Sequence, residues 1–298
     1  MSASNNPTTR NHYLPQFYLR SFADPAGMVL QTKRRPGGEE LFERRFVPRS
    51  TGYQTDLYSI SPVFENDVPL VTDKIEKEFF GPIDNKAAPA MKGLIDRGPS
   101  SLSDDEKRNW ALFLNSLLER IPSVLEAQDA KADKIGREWL ENFLRKYSDY
   151  PESLARWADT LAKFRPEAAS RNAVRYAMCT KIEEQPVIDY FLKCNWLVVK
   201  VVDGPQEAQF ATSNVPVVVN AGSNGAIEAL TLALSCEHLF VLYRSSELTC
   251  ENIATLSQVH NFGLFPQSTH VYSRFSLCDG DYMRSRTAAE AMLNKPSD

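Results

Sequence analysis

Asn11-His12-Tyr13-Leu14-Pro15-Gln16-Phe17-Tyr18-Leu19-Arg20-Ser21-Phe22-Ala23-Asp24 is the stretch on which the reading of this chain turns. Chain ends are normally polar and frayed unless something docks them. This one gathers large apolar and aromatic side chains around one His, one Gln and one Arg, so it must be buried against segments that come later. Pro15 disfavours helical torsions in the residue before it, which makes residues 12–14 extended. The same proline suits the first position of a helix, where its missing N–H costs nothing. Leu14, Tyr18 and Phe22 then align at four-residue spacing on one face. His12 and Arg20 lie close to that buried surface. Either His12 bonds a carbonyl and Arg20 a carboxylate, or both face a ligand.

Working outward, residues 28–33 and 41–47 read as two strands around the turn residues Pro36-Gly37-Gly38, which makes a hairpin. Lys33, Arg34, Arg35, Arg44, Arg45 and Arg49 crowd it, with Glu39, Glu40 and Glu43 among them. The hairpin is either a phosphate-contacting ribbon or a solvated face whose charges protect an edge strand. Thr55 to Ile60 is a short strand or turn before a polar loop. Asp73 and Glu76 then have capping-box spacing, and apolar residues from Ile75 to Ile95 recur at roughly helical periods. Pro82 and Pro89 should split or kink that helix, and Arg97-Gly98-Pro99 closes it.

Ser103-Asp104-Asp105-Glu106 is a second capping box, opening a stripe of Trp110, Phe113, Leu114, Leu117, Leu118, Ile121 and Leu125. Pro122 lies inside the stripe and must bend it, and Arg120 sits on the opposite flank. Ile135, Trp139, Leu140, Phe143, Leu144 and Tyr147 define another amphipathic helix. Further helices start at Tyr150-Pro151 and at Pro166, the latter running to about Glu184. From residue 196 the pattern turns to strands, at 196–202, 209–212, 217–220, 230–234 and 238–243. A helix ending near Asn261 and a last strand at 270–274 follow.

A lone hairpin is marginal in water, so the first hairpin should pair with the late strands. The expected fold is α+β, a mainly antiparallel sheet built from the N- and C-terminal segments with a helical middle region packed on it. Residues 1–66 and 194–286 form the β-rich module, 67–193 a helical insertion and 287–298 a polar tail. A cleft between the layers is the natural ligand site.

The opening run resembles the start of an uncharacterised, mostly bacterial family known as domain of unknown function (DUF) 4238, whose members begin with a similar His-Tyr-(Val/Leu)-Pro-x-x-Tyr-Leu-x-x-Phe pattern. Asp56-Leu57-Tyr58-Ser59, Ile75-Glu76, Arg120-Ile121-Pro122 and Phe210-Ala211-Thr212-Ser213-Asn214-Val215-Pro216 agree in order. One motif departs. The family's later run usually reads Thr-Ser-Asp-Asn-Pro, whereas Asn214 and Val215 occupy the middle here. If that Asp served as a metal ligand or base, this chain has lost the activity. The resemblance implies a shared fold and carries no reaction with it.

The 298 residues are 43% hydrophobic and carry a formal charge of -4, which suits a sizeable core and disfavours wholesale coating of nucleic acid while permitting a local basic groove. No apolar run reaches the roughly 18 residues that span a bilayer, and the first residues lack a secretory core. A cytoplasmic protein without membrane contact is expected. The five cysteines fall at no C-x-x-C spacing, so neither a zinc cluster nor a disulfide framework is indicated. Phosphate-loop, dinucleotide and nucleophile-elbow motifs are missing, and no histidine pair has metal-ligand spacing. The sequence therefore names no metal and no cofactor.

Two functions remain. The first is binding of a phosphate-bearing small molecule or nucleic acid in the sheet–helix cleft. Gln16, Arg20, Arg120, Ser213, Asn214 and Asn261 are its candidate ligand-binding residues. Arg20 would grip phosphate, and His12 is the candidate catalytic acid or base for phosphoester hydrolysis. Ser213 is either a nucleophile or, with Asn214, a satisfier of backbone groups at a strand break. Asn261 orients a ligand or caps a helix. The second function is a non-catalytic interaction protein, or a defence or toxin effector, whose helical layer docks a protein partner.

Overall fold

The computed structural model describes residues 9–34, 41–65, 73–148, 152, 157, 160–201, 209–221, 227–244, 260–261, 263–264 and 268–277. The fold is α+β, with antiparallel sheets and a helical middle region. The chain divides into two compact units whose boundaries run through the helical middle. Met1–His12, Gln54–Pro82 and Glu119–Glu184 form a helical unit; Tyr13–Tyr53, Ile83–Leu118 and Gln185–Asp298 form a sheet unit.

Short strands β1 (Arg10–His12) and β4 (Tyr53–Thr55) pair with each other. In the sheet unit the hairpin of β2 (Val29–Arg34) and β3 (Leu41–Phe46) forms as expected, its turn residues lying outside the described ones. It joins the late strands β6 (Thr212–Ser213) and β10 (His270–Ser273) in the order β3-β2-β10-β6. Front and back of the chain thus share one sheet. The remaining late strands do not extend it. Strands β5 (Asn195–Lys200), β7 (Val217–Ala221), β8 (Ile227–Ala233) and β9 (His238–Tyr243) make their own antiparallel sheet, β5-β9-β8-β7.

The opening stretch ties the two sheets together. Leu14, Tyr18 and Phe22 are fully buried. The Tyr18 hydroxyl lies 2.7 Å from Thr212 Oγ1 on β6 and donates to the Ala233 carbonyl on β8 at 2.8 Å. Helix α1 (Gln16–Arg20) starts one residue later than the sequence suggests. Pro15 has extended torsions (φ -60°, ψ 144°) and caps the helix, its carbonyl accepting the Leu19 N–H. The pyrrolidine ring fixes φ but leaves ψ free, so a proline can open a helix from outside it.

Helix α2 (Gly81–Arg97) continues directly from a π-helix at Ile75–Phe80, with Pro89 inside it. Of the split or kink expected at Pro82 and Pro89, no split occurs at either: the helix runs on from Ile75 to Arg97. A widened π turn ahead of Pro82 makes room for its ring and needs no N–H from it. Gly98, at φ 82°, ends the helix, a torsion that glycine adopts without strain. Helix α3 (Asp104–Glu119) opens with the complete capping box, Ser103 N–H to Glu106 Oε2 at 2.8 Å and Glu106 N–H to Ser103 Oγ at 3.2 Å. Its Trp110 meets Phe240 of β9 edge-on at 5.8 Å. Pro122 does not bend this stripe but divides it. Ile121 is extended, and Pro122 occupies the first position of α4 (Pro122–Lys146), as proline biases its predecessor away from helix.

In the helical unit α4 packs against α5 (Pro166–Ile182). Gly136 permits the close approach: a Cβ there would come within 2.4 Å of Ser170 Oγ. Of the stripe expected at residues 135–147, Leu140, Phe143 and Tyr147 are half-buried, whereas Ile135, Trp139 and Leu144 are exposed. The helix expected from Tyr150 lies largely outside the described residues, as does most of the one expected before Asn261. Helix α6 (Gln185–Lys193), to which the sequence reading assigned no element, belongs to the sheet unit and buries Ile188 and Phe191. Among the described residues no helix is long and apolar enough to cross a membrane.

Candidate functional site

Alternation along β3 puts Phe42, Arg44 and Phe46 on one face of the sheet. Directly opposed residues share a face, so the register extends this face row by row. Phe42 stands opposite Lys33, and Lys33 opposite His270; Arg44 stands opposite Gln31, and Gln31 opposite Tyr272. The second row closes inward. Gln31 Nε2 donates to Thr51 Oγ1 at 2.7 Å and to the Tyr272 hydroxyl at 3.2 Å, all three residues being buried or nearly so.

The outer corner stays open. Phe42 is 39% exposed, and the Arg44 guanidinium sits 5.3 Å above the Phe46 ring. No carboxylate of the described residues pairs with Lys33 or Arg44. Two neighbouring charges of β3 are committed elsewhere. Arg45 pairs with Asp24. Glu43, one residue off in the alternation, accepts from Thr32 Oγ1, Ser276 Oγ and the Leu277 N–H. Burial lowers the Lys33 pKa. Burial, helped by the Lys33 charge, pushes His270 down to about 4. Two cations, an exposed aromatic ring and a neutral imidazole thus converge on one corner. Such a set can hold an anion while stacking a flat ring.

The residues proposed from sequence are distributed differently. Gln16 and Arg20 lie on α1, where Arg20 is exposed and its Nη2 is 3.5 Å from Gln16 Oε1. Ser213 donates to the Val215 carbonyl at 2.7 Å, accepts the Val215 N–H and receives the Ser268 hydroxyl at 2.7 Å. Asn214 Oδ1 accepts the N–H groups of Thr269 and His270, both at 2.9 Å. Asn261 clamps residues far from it in sequence rather than its own helix end: Oδ1 accepts the Ala211 N–H at 3.0 Å and Nδ2 donates to the Gln209 carbonyl at 2.8 Å. Its neighbour His260 is fully buried, with Nδ1 2.8 Å from Thr231 Oγ1.

His12 and Arg120 belong to the helical unit. The His12 backbone N–H donates to Glu76 Oε1 of the π-helix at 3.2 Å. Arg120 is wholly buried, its guanidinium 5.1 Å over the Phe80 ring and its carbonyl accepting the Tyr58 hydroxyl at 2.8 Å. Both motif residues therefore bear on the π-helix.

Phe42, Phe46 and His270 escaped the sequence reading. The alternation Phe-Arg-Phe was present at 42–46, but the register that brings His270 beside Lys33 depends on a pairing across more than two hundred residues. Among the described residues no three His, Cys, Asp or Glu side chains gather as a metal site would require.

No curated protein and no solved structure matches the chain. The family described as "Protein of unknown function (DUF4238)" matches residues 10–262. That match takes in β1, both strands of the hairpin, the π-helix and the Thr212–Ser213 strand, so the chain belongs to the DUF4238 family.

Proposed function

We propose that this protein binds a phosphate-bearing ligand with an exposed base, a nucleotide or a single strand of nucleic acid, at the open corner of the β3-β2-β10-β6 sheet. One observation carries the reading: Lys33 and Arg44 lack a carboxylate partner among the described residues, although Lys33 is half-buried and Phe42 lies opposite it. A half-buried cation without a counter-charge is costly unless an anion arrives. Phe42 supplies a stacking surface of the kind worth about 1–3 kcal/mol per base. Lys33 and Arg44 would meet phosphates. The free thiols of Cys179, Cys194 and Cys236 favour a reducing compartment such as the cytoplasm.

The test is fluorescence anisotropy with labelled 12-mer RNA and DNA single strands and with a labelled nucleotide. The expected affinity weakens as salt rises, with a log–log slope near -0.7 for each phosphate neutralised. Arg44→Ala and Lys33→Ala should each weaken binding about tenfold and flatten that slope, and Phe42→Ala should weaken it with the slope unchanged. Equal binding by wild type and all three variants removes the site. Following the bound strand for scission, in wild type and His12→Ala, decides whether phosphoester hydrolysis accompanies binding.

A second reading, docking of a protein partner by the helical layer, is favoured by Ile135 and Trp139 on α4, 66% and 58% exposed. Exposed apolar clusters of this kind mark interaction surfaces. Co-purification of one stoichiometric protein with wild type but not with Trp139→Ser supports it; a Trp139→Ser variant that retains the same company removes it.

A further inference from the structure

We propose that a cleft beside the π-helix of the helical unit is a second binding site, for a small, flat, uncharged aromatic molecule. The cleft holds about 500 Å³, within the range that takes a drug-sized ligand. Local sequence builds it. Ile75 and Phe79, four apart on the π-helix, and Tyr176 and Cys179, three apart on α5, line the same space with Ile60. Ile60 and Ile75 are almost fully buried, whereas Tyr176 is 58% exposed. The Phe79 ring is braced edge-on against Phe80 at 5.3 Å. π turns of this kind occur often at functional sites.

The charge of the lining selects the occupant. Among the described lining residues the ionic groups are Lys74 and Glu78, whose Nζ and Oε2 stand 3.9 Å apart at exposed positions. Their opposite charges offset each other, so the described lining carries no net charge to draw a phosphate or a cation. Burial, with the Glu183 charge, pushes the Cys179 thiol up to about 11, so it is protonated at neutral pH and presents a soft apolar surface. Two aromatic rings, two isoleucines and a protonated thiol match a planar hydrocarbon or heteroaromatic ring system. The Tyr176 hydroxyl is available for one hydrogen bond. The cleft thus differs in chemistry from the anion-seeking sheet corner.

N-Phenyl-1-naphthylamine, a neutral probe whose fluorescence rises in apolar surroundings, tests this with the full chain. Saturable one-site binding is expected, together with at least tenfold slower alkylation of Cys179 by N-ethylmaleimide, read by mass spectrometry, when the probe is bound. Tyr176→Ala, which removes an exposed wall, should weaken the probe at least fivefold. Cys179→Trp, which fills the cleft, should abolish binding, and Arg44→Ala on the sheet corner should leave it unchanged. Should Cys179→Trp fail to fold by circular dichroism, Tyr176→Ala and Cys179 protection decide alone. Absence of probe binding, or binding that ignores Tyr176→Ala and leaves Cys179 unprotected, overturns the proposal.

Discussion

Cations of the helical unit and the two cations at the corner of the β3-β2-β10-β6 sheet differ in their partners. In the helical unit Arg175, 4% exposed, is gripped by both Asp129 oxygens at 2.5 and 2.9 Å and also donates to the Leu57 carbonyl. Lys181 meets Glu119 at 2.6 Å, and Lys77 meets the buried Asp73 at 2.5 Å. In the sheet unit Lys33 and Arg44 have no such carboxylate among the described residues, while their neighbour Arg45 has Asp24. A buried, doubly bonded guanidinium fixes the packing of its helix. A half-buried amine with no carboxylate partner among the described residues does not fix packing in that way, and it is on this difference that the proposed site rests. The contrast separates cations held by carboxylates from cations without one among the described residues, a distinction that total charge cannot make.

The largest effect that can break this comparison comes from Asp129→Ala. It leaves the Arg175 guanidinium buried without its bidentate acceptor, which should cost about 3–5 kcal/mol. Urea unfolding measures it, as a fall in midpoint with little change in slope. Lys33→Met removes a charge that burial already disfavours, and stability should stay within about 1 kcal/mol or rise. A Lys33→Met variant as unstable as Asp129→Ala would place Lys33 among the structural cations, and the sheet corner would lose its claim as a site.

How far the sequence carried this contrast depends on distance along the chain. Leu14, Tyr18 and Phe22 were legible because four-residue spacing is a local property, and so was the Ser103–Glu106 box. The union of the first hairpin with the last strands followed from the instability of a lone hairpin. The register was another matter. Lys33 opposite His270 is set by packing over the whole unit, and a shift of one residue would turn every side chain to the other face. Prolines misled in a consistent way. Pro15, Pro82 and Pro122 were correctly placed as boundaries or irregularities, but whether each caps, is absorbed by a π turn or separates two helices depends on ψ of the flanking residues. Asn261 read as a cap because caps are local, whereas its partners at Gln209 and Ala211 are not.

A smaller effect sharpens the comparison through pH. The three histidines of the sheet unit all have lowered pKa values, chiefly through burial: His260 to about 3, His270 to about 4, and His238 in the same direction. The folded state keeps them neutral at pH values where the unfolded chain takes up protons. Stability is therefore full above the unfolded value near 6.5 and falls as pH drops from there toward about 3. His260, fully buried, should contribute a slope on the order of 1 kcal/mol per pH unit. The more exposed His270 and His238 add less. Urea midpoints at pH 7.5 and 5 measure the loss, and His260→Gln should flatten the dependence by about one proton. An unchanged slope in that variant would mean that the buried imidazole is already charged in the folded state.

The smallest effect separates exposed pairing from buried pairing. Ser103 and Glu106 bond each other reciprocally at the start of α3, in full view of solvent. The serine's bonds hold the Glu106 carboxyl below its usual range, with the Arg97 charge helping. Ser103→Ala removes the hydroxyl acceptor for the Glu106 N–H and should cost about 1 kcal/mol, read as a small fall in the urea midpoint. Ser103→Asp restores an acceptor and should recover most of the loss, since aspartate caps as well as serine does. Water can reach the freed N–H at this exposed end, whereas Arg175 is 4% exposed and loses a doubly bonded counter-charge when Asp129 is removed. The two substitutions each delete one partner of a polar pair, and the several-fold gap expected between them is the cost of leaving a buried charge without its counter-charge. If Ser103→Ala matched Asp129→Ala, burial would not be what sets the cost of a lost polar partner, and Lys33 and Arg44, without a carboxylate among the described residues, would need another explanation.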